Sequence, residues 1–359
     1  MLARRGHDVT WLTCDDTDVP ESWKEGKPNT PKIELLGNFQ KKCDRLTREQ
    51  VSLATDIVKD ADVVNIHAMW SPSNPQIAKA CDSIGIPWVL SIHGMLDDWS
   101  MSQRRLKKQI YLATMGRRLL GNATIFHTTA EEECRQASRW FKHDNVVVIP
   151  CIVDLDQYKE VPSPQEAIDT YGHCDDLTIL FLSRIHEKKS IETLIDATAI
   201  LQQKGLRTRV LIAGTGEQSY IDSLQSRAQS AGVGDEVTFL GMVVGDLKLS
   251  LYAMADIFAL PTQQENFGLV YPEAMLCETP VIGTRGTDIW RELEEGGAVI
   301  VDRTPEAFAD AIASLGENKE HLKILGKQGR KHMLDWLDLD SVAKKYEAMY
   351  LRATNGHAS

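Results

Sequence analysis

The sequence has no long apolar run and no excess of basic residues. No stretch approaches the roughly 18 consecutive apolar residues that a membrane-spanning helix needs, which excludes a membrane-spanning chain. The mean hydropathy of -0.26 agrees with this. Basic residues number 40 against 51 acidic ones, for a formal net charge of -11. Because an acidic chain is a poor general binder of nucleic acid, we expect no nucleic-acid partner.

The seven cysteines are scattered along the chain and include no C-x-x-C pair. This spacing argues against a zinc knuckle or a redox site, and we interpret the cysteines as reduced core thiols. The first residues, MLARRGHDVTWL, contain neither the apolar segment nor the small-residue cleavage site of a leader peptide. We therefore expect a cytoplasmic protein.

Short β-branched runs alternate with longer segments of helical period along the whole chain. This pattern is typical of an α/β protein, in which helices cover a mainly parallel sheet. The predicted strands of the first half are residues 9–13, 33–36, 63–66, 89–92, 124–127 and 146–149. Those of the second half are residues 179–183, 209–213, 237–240, 257–260, 281–284 and 299–301. Each half has enough strands to build its own sheet.

A proline-rich, charged segment, PCIVDLDQYKEVPSPQE, lies between the two halves and suits an exposed linker. We place the domain boundary after Pro162. The prediction is a first Rossmann-like domain of residues 1–162 together with a C-terminal helix, 338–359, and a second of residues 163–337. Ligands of such sheets bind outside the carboxyl ends of the strands, so we expect the two domains to face each other across a cleft.

The N-terminus resembles the end of a helix rather than the start of a domain. MLARRG reads as a last helical turn closed by Gly6, whereas a doubly wound domain opens with a strand. We therefore expect the N-terminal domain to lack its first strand. We also expect strand 9–13 to lack a neighbour and to expose apolar surface.

Two glutamates stand eight residues apart in PTQQENFGLVYPEAMLCETP, where a strand ends and a helix begins. Glu265 precedes the helix and Glu273 lies about one turn inside it, so both can face a ligand at the helix N-terminus. A carboxylate can accept two hydrogen bonds from a sugar diol, and free helix amides can bind a phosphate. The amides predicted to do so belong to Phe267, Gly268, Leu269 and Val270.

Two further segments follow strands in the same half. In SRIHEKKS, Arg184 and Lys189 project from a strand end, and two fixed cations there suit a diphosphate leaving group. In AGTGE, Gly214 and Gly216 allow a phosphate to approach the backbone, although glycine also serves any tight strand-to-helix turn.

The order R-x4-K, G-x-G, F-L-G and E-x7-E resembles family 4 of the retaining GT-B glycosyltransferases. The resemblance extends to the N-terminal half through SIHGMLDDW, HTTAEEE and MLARRGHDVTWLT, and so covers nearly the whole chain. It implies that Glu265 contacts the transferred sugar, that Glu273 contacts the nucleotide ribose, and that Arg184 and Lys189 neutralise the diphosphate. It also implies that His93, after a strand of the acceptor domain, faces the donor sugar.

His67, which follows the strand DVVNI, is a rival to His93. His93 is preferred because Gly94 follows it and gives a ligand close access to the backbone. The sequence departs from the family pattern beyond the absent first strand. Cys151-Ile152 replaces the Asn-Gly pair that usually precedes the aspartate at position 154. Ser190 and Asn266 each stand where the family commonly has glycine.

The resemblance implies a metal-independent hexosyltransferase that moves a sugar from a nucleotide-diphosphate sugar to a hydroxyl acceptor, in the synthesis of a cell-surface polysaccharide or a lipid-linked glycan. D-x-D occurs at four unrelated places, and the cations and helix terminus leave no need for a metal, so we expect none. We expect no cofactor besides the donor substrate. Two alternatives stay open, a catalytically impaired nucleotide-sugar-binding protein and a sugar-nucleotide epimerase of the same fold.

Residues 102–122, SQRRLKKQIYLATMGRRLLGN, hold six basic residues and no acidic one. At helical spacing Leu106, Ile110 and Ala113 share one face, with cations at its sides, which is typical of a helix lying on an anionic membrane. Such a contact would make the protein peripheral on the inner face of the membrane. A packed helix with a solvated basic face, or one that holds an anionic acceptor, is the alternative.

Overall fold

A computed structural model describes residues 1–17, 19–37, 44–141 and 145–357. The chain folds into two compact units. Unit 1 consists of Met1–Cys151 and Leu339–Ser359, and unit 2 of Ile152–Asp338.

Twelve strands and sixteen α-helices occur in the described residues. The strands are β1 (Thr10–Thr13), β2 (Lys32–Leu35), β3 (Val64–His67), β4 (Trp88–Ser91), β5 (Ile125–Thr128), β6 (Val146–Val148), β7 (Leu177–Leu182), β8 (Thr208–Ala213), β9 (Val237–Gly241), β10 (Ile257–Ala259), β11 (Val281–Thr284) and β12 (Val299–Val301). The helices are α1 (Glu21–Lys24), α2 (Arg48–Val58), α3 (Ser73–Ile84), α4 (Asp98–Ser102), α5 (Arg105–Ala113), α6 (Arg117–Asn122), α7 (Glu131–Ala137), α8 (Gln165–Tyr171), α9 (Ile191–Gln203), α10 (Gln218–Ser230), α11 (Gly245–Met254), α12 (Val270–Leu276), α13 (Trp290–Glu295), α14 (Pro305–Gly316), α15 (Lys319–Trp336) and α16 (Leu339–His357). Every predicted strand is present, and no strand end lies more than two residues from its predicted position.

Unit 1 contains two parallel sheets. One has four strands in the order β3-β4-β5-β6, and the other consists of β1 and β2. The expectation that strand 9–13 lacks a neighbour is wrong, because Thr10 to Thr13 pair in register with Lys32 to Leu35. The C-terminal helix α16 closes the unit. Its apolar face packs Val342, Tyr346 and Met349 against Val89 of β4 and Ile125 of β5.

Unit 2 is a six-stranded parallel sheet in the order β9-β8-β7-β10-β11-β12. The central strand β7, LTILFL, is almost wholly buried, as expected of a parallel strand covered on both faces. The strand order reverses between β7 and β10, so the loops after these two strands diverge and leave a crevice at their carboxyl ends. This reversal places the segments that follow β7 and β10 beside each other.

Unit 2 begins at Ile152, before the predicted boundary after Pro162. Most of the intervening residues are exposed, as expected of a linker, but the segment is also anchored to unit 2. Tyr158 is fully buried, and Arg330 of α15 donates to the carbonyl oxygens of Tyr158 and Leu276. A proline-rich composition does not reveal such an anchor, because its partner lies far along the chain.

The basic segment 102–122 is a broken helix instead of a single one. α5 begins after Arg104, whose φ of 49° is left-handed, and α6 begins after Gly116. Leu106 and Ile110 are 71% and 58% exposed, and Ala113 is exposed as well. The predicted apolar face therefore remains uncovered within unit 1. Within the described residues, no helix is both long and apolar enough to cross a bilayer.

Candidate active site

The loops after β7 and β10 bring Lys189 and Glu265 into contact. The Lys189 ammonium group donates to Oε2 of Glu265, although the two residues are 76 positions apart in the sequence. Lys189 is buried, with its side chain 5% exposed, whereas that of Glu265 is 24% exposed. The lysine is thus held below the surface, and the carboxylate stands between it and solvent.

A tight turn positions Lys189. The His186 side chain accepts a hydrogen bond from the backbone N–H of Lys188 at 3.1 Å and caps a single 3-10 turn, Glu187–Lys189. Ser190 then adopts a left-handed φ of 51°. That conformation explains why glycine is usual here in the family that the sequence resembles, because a side chain at positive φ is strained. Arg303 donates to Oγ of Ser190 at 3.1 Å.

The site carries an excess of positive charge. Burial, together with the nearby cations Lys188 and Arg184, lowers the pKa of Lys189 to about 7, and the carboxylate of Glu265 opposes that shift. Arg184 is exposed and makes no ion pair with any part of the chain that the structure describes. A bound anion would relieve this repulsion between like charges.

Backbone contacts hold the Glu265 loop. The N–H of Glu265 donates to the Gly286 carbonyl at 2.7 Å, and its own carbonyl accepts from Asp288 N–H at 3.0 Å. Gly268 has a φ of +60°, and a Cβ there would lie 2.8 Å from Cγ of Glu265. Glycine is therefore required at 268 both for its conformation and to leave room for the Glu265 side chain.

The predicted amide group lies at the start of α12. Leu269 is the N-cap of the helix and Val270 its first residue, so their amides have no acceptor within the helix, and Gly268 lies just before the cap. The Phe267 ring is buried and stacks on Trp336 with 5.5 Å between the ring centroids. The Phe267 side chain is thus occupied by this contact.

Glu273, one turn into α12, has partners of its own. Lys248 of α11 donates to its Oε1 at 2.8 Å, and the buried Tyr252 hydroxyl donates to its Oε2 at 3.1 Å. The Glu273 carboxylate raises the pKa of Tyr252 in addition to the effect of burial, which is larger. Each carboxylate oxygen keeps a further lone pair that a ligand hydroxyl could use.

The glycine turn after β8 lies against the loop after β7. A Cβ at Gly214 would lie 1.8 Å from the Ser183 carbonyl oxygen, and one at Gly216 would lie 2.0 Å from that of Ile185. Ile185 N–H donates to the Thr215 carbonyl at 2.8 Å. These glycines are thus required by the close approach of two loops, whether or not a phosphate also binds there.

In unit 1, the two rival histidines form a pair. His67 ends β3, His93 follows β4, and their Nδ1 and Nε2 atoms share a hydrogen bond of 2.9 Å. His93 has a left-handed φ of 54°. Its neighbour Gly94 donates its backbone N–H to the buried carboxylate of Glu133 at 2.5 Å. The two histidines that compete for the role of site residue are therefore hydrogen-bonded neighbours in one cluster.

A third histidine, His127 of β5, lies beside this pair and was not predicted as a site residue. Its ring meets that of His93 edge to face, with 6.3 Å between centroids. It also makes hydrogen bonds to Ser91 Oγ at 2.8 Å and to the Ile149 carbonyl at 2.9 Å. Burial lowers the pKa values of both His93 and His127, so both rings are neutral at pH 7.

The sequence alone could have grouped the three histidines. Each stands at or just after the carboxyl end of one of three adjacent parallel strands, where side chains gather at one edge of a sheet. Lys248 and Tyr252 offered no such signal, because they lie within a helix whose facing partner cannot be read from the sequence. Among the described residues, no group of three or more His, Cys, Asp or Glu side chains is arranged to hold a metal ion.

Two family models match the chain. Residues 1–157 match Glycosyltransferase Family 4, and residues 168–332 match Glycosyl transferases group 1. These two segments correspond to the bulk of the two units, and the parallel sheets and the site at the strand reversal fit an enzyme of this class. The chain belongs to the GT-B glycosyltransferases.

Curated relatives include enzymes that glycosylate inositol compounds. The chain is 27% identical over 267 residues to a GDP-mannose-dependent alpha-(1-6)-phosphatidylinositol monomannoside mannosyltransferase of Mycobacterium tuberculosis, covering 71% of this chain and 67% of the relative. It is 34% identical over 189 residues to a D-inositol 3-phosphate glycosyltransferase of Saccharomonospora viridis, covering 50% of this chain and 44% of the relative.

Solved structures share the fold. Sucrose-phosphate synthase from Thermosynechococcus elongatus matches with a TM-score of 0.77 and 20% identity, covering 97% of this chain and 90% of that one. Anabaena HepE in complex with UDP matches with a TM-score of 0.78 and 17% identity, covering 95% and 99%.

Proposed function

We propose that this protein is a retaining hexosyltransferase that transfers a sugar from a nucleotide-diphosphate sugar to a hydroxyl acceptor. The observation that carries the proposal is the contact between buried Lys189 and partly exposed Glu265 at the strand reversal of unit 2. A cation is held there beside the exposed Arg184, and a carboxylate stands between it and solvent. That arrangement suits a substrate with a diphosphate at one end and a sugar with hydroxyl groups at the other.

Each of these residues has a role in the proposed reaction. The bond between the sugar C1 and the diphosphate oxygen breaks, and the electron pair leaves with the diphosphate. Arg184 and Lys189 stabilise the charge that develops there. The acceptor oxygen attacks C1 on the same face and gives its proton to the leaving phosphate. Glu265 binds hydroxyl groups of the transferred sugar.

The remaining contacts hold the nucleotide. Glu273 accepts hydrogen bonds from the ribose diol, and Lys248 and Tyr252 keep its carboxylate in place. The amides at the start of α12 bind a phosphate, and with this charge balance the reaction needs no metal ion. In unit 1, His93 faces the donor sugar, and the hydrogen bond with His67 fixes its ring.

The acceptor is a lipid-linked glycan or a cell-surface polysaccharide precursor. A relative acts on a phosphatidylinositol mannoside, and α5 carries an uncovered apolar face with basic residues beside it. Leu106 and Ile110 would enter an anionic leaflet at the cytoplasmic face of the membrane, with the protein bound peripherally. Serine at both positions should weaken binding to anionic vesicles in co-sedimentation, and unchanged pelleting would contradict this contact.

The activity is tested by transfer of radiolabelled sugar from GDP-mannose and UDP-glucose into a lipid extract. Glu265→Gln and Arg184→Gln should each lower the transfer rate by about 100-fold or more, as for loss of one preorganised transition-state contact. The matched control is Arg207→Gln, an exposed arginine of the same unit that pairs with Asp176 at 3.1 Å. EDTA should leave the rate unchanged.

Four outcomes would contradict the proposal. Wild-type rates in the Glu265 variant would show that the site is wrongly assigned. Donor binding without turnover on any acceptor would indicate a binding protein, and conversion of the donor sugar without an acceptor would indicate an epimerase. Activity that EDTA removes and magnesium restores would show that a metal is needed.

A further inference from the structure

A groove of about 710 Å³ lies on the surface of unit 1, between α3 and the segment that contains α6. Four of its lining residues are cations, Arg45, Lys79, Arg117 and Arg118, and none of the lining residues is acidic. In a chain with a formal net charge of -11, such a concentration of positive charge creates a local site for anions.

One of the four cations is fixed by the protein itself. Arg118 pairs with Asp82, which also accepts hydrogen bonds from Asn122 at 2.8 Å and from the Trp88 indole at 2.9 Å. This carboxylate is therefore fully engaged. It holds the Arg118 side chain at the groove, so that the guanidinium is pre-organised there.

The other three cations are exposed and unpaired. Arg45, Lys79 and Arg117 make no ion pair with any residue in the ranges that the structure describes. Three positive charges without a counter-ion in one groove repel one another, and a multivalent anion would relieve this repulsion.

The groove also has an apolar wall. Pro72, Pro75 and Met115 line it, and Met115 is 42% exposed. Met115 follows α5, whose Leu106 and Ile110 are exposed as well. The ligand that fits both features has a compact anionic group joined to an apolar part.

We propose that this groove binds the phosphate head group of an anionic lipid. A phosphate monoester carries up to two charges and three acceptor oxygens, which match several cations and the planar donor fork of arginine better than a single carboxylate does. This assignment rests on the proposed contact between α5 and the membrane. It adds that the contact selects one class of head group instead of responding to surface charge alone.

The test is vesicle co-sedimentation with two kinds of anionic vesicle. Phosphatidylcholine vesicles carry either phosphatidic acid, a phosphate monoester, or phosphatidylserine, adjusted to the same surface charge. The wild type should bind the phosphatidic acid vesicles about fivefold more tightly or better, the effect of one further engaged basic residue. Equal binding to the two vesicles would overturn the proposal.

The variant Arg45→Gln/Lys79→Gln should remove that preference and leave binding to phosphatidylserine vesicles, which depends on α5, largely in place. The matched control is Lys327→Gln/Lys331→Gln, which removes two exposed charges from α15 in unit 2 and should keep the preference. Both variants must melt at the wild-type temperature. If the groove variant still prefers phosphatidic acid vesicles, these residues do not recognise the phosphate.

Two further measurements test whether the ligand is a lipid and whether the groove acts separately from α5. Glycerol 3-phosphate offers the same head group without acyl chains, and binding as tight as to phosphatidic acid vesicles would overturn the assignment to a lipid. Serine at Leu106 and Ile110 should weaken binding to both vesicles and leave their ratio unchanged. A wild type that shows the preference yet transfers no sugar would refute the proposed activity alone.

Discussion

Replacing Lys248 with methionine should destabilise unit 2 and weaken donor binding. The substitution keeps the aliphatic chain and removes the ammonium group that lies 2.8 Å from Oε1 of Glu273. The Lys248 and Glu273 side chains are only 24% and 16% exposed, so a carboxylate that is largely shielded from water loses its counter-ion. The Tyr252 hydroxyl, 3.1 Å from Oε2, then remains to donate a hydrogen bond to the Glu273 carboxylate.

The magnitude follows from burial. Breaking a fully buried pair costs about 3–5 kcal/mol, and water that reaches these partly exposed groups reduces the cost to about 2 kcal/mol. For a unit of this size, that lowers the melting temperature by about 4–8 °C. Thermal and urea unfolding measure it. If Glu273 holds the ribose, the donor KM should rise while kcat changes little, because the contact is the same in the ground and transition states.

The surface supplies a matched control. Lys204 pairs with Asp310 at 2.6 Å, with side chains 49% and 69% exposed, and Lys204→Met should cost at most about 0.5 kcal/mol. The double variant Lys248→Met/Glu273→Gln should recover part of the stability, since it removes the uncompensated charge. Equal losses for Lys248→Met and Lys204→Met would refute the reasoning.

Three other measurements test the local structure. Gly214→Ala should destabilise the protein by about 2–3 kcal/mol, because the added Cβ would overlap the Ser183 carbonyl oxygen. The control is Gly121→Ala in helix α6, where an added Cβ has no atom within 4 Å, and it should be neutral or stabilising. Equal effects of the two substitutions in unfolding experiments would contradict this reasoning. Ser190→Gly should raise the free energy of unfolding by about 0.5–1 kcal/mol through relief of its left-handed backbone, and a loss of stability would show that the hydrogen bond from Arg303 is worth more than the strain. Because the pKa of buried His127 lies below its unfolded value of about 6.5, its neutral ring stabilises the fold above that pH, and this contribution is lost as the pH falls, by at most about 1.4 kcal/mol per pH unit. His127→Asn should show a shallower loss between neutral and acidic pH, and a slope identical to that of the wild type would refute the assignment.

The strands and the order of the site segments could be predicted from the sequence alone. A buried parallel strand is a short β-branched run, and each of the twelve runs forms a strand. Lys189 and Glu265 each follow such a run. Since the carboxyl ends of neighbouring parallel strands share one edge of a sheet, local pattern and the resemblance to a family sufficed to name both members of the pair.

Only the tertiary structure decided which side chains meet across elements. The pairing of Lys248 with Glu273, the hydrogen bond between His67 and His93, and the cations of the groove each join residues from different strands, helices or loops. Such contacts depend on how helices and loops pack around the sheet, which local periodicity does not encode. The exposure of Leu106 was also decided by the tertiary structure. A hydrophobic helix face can be predicted from the sequence, but whether another part of the fold covers it cannot.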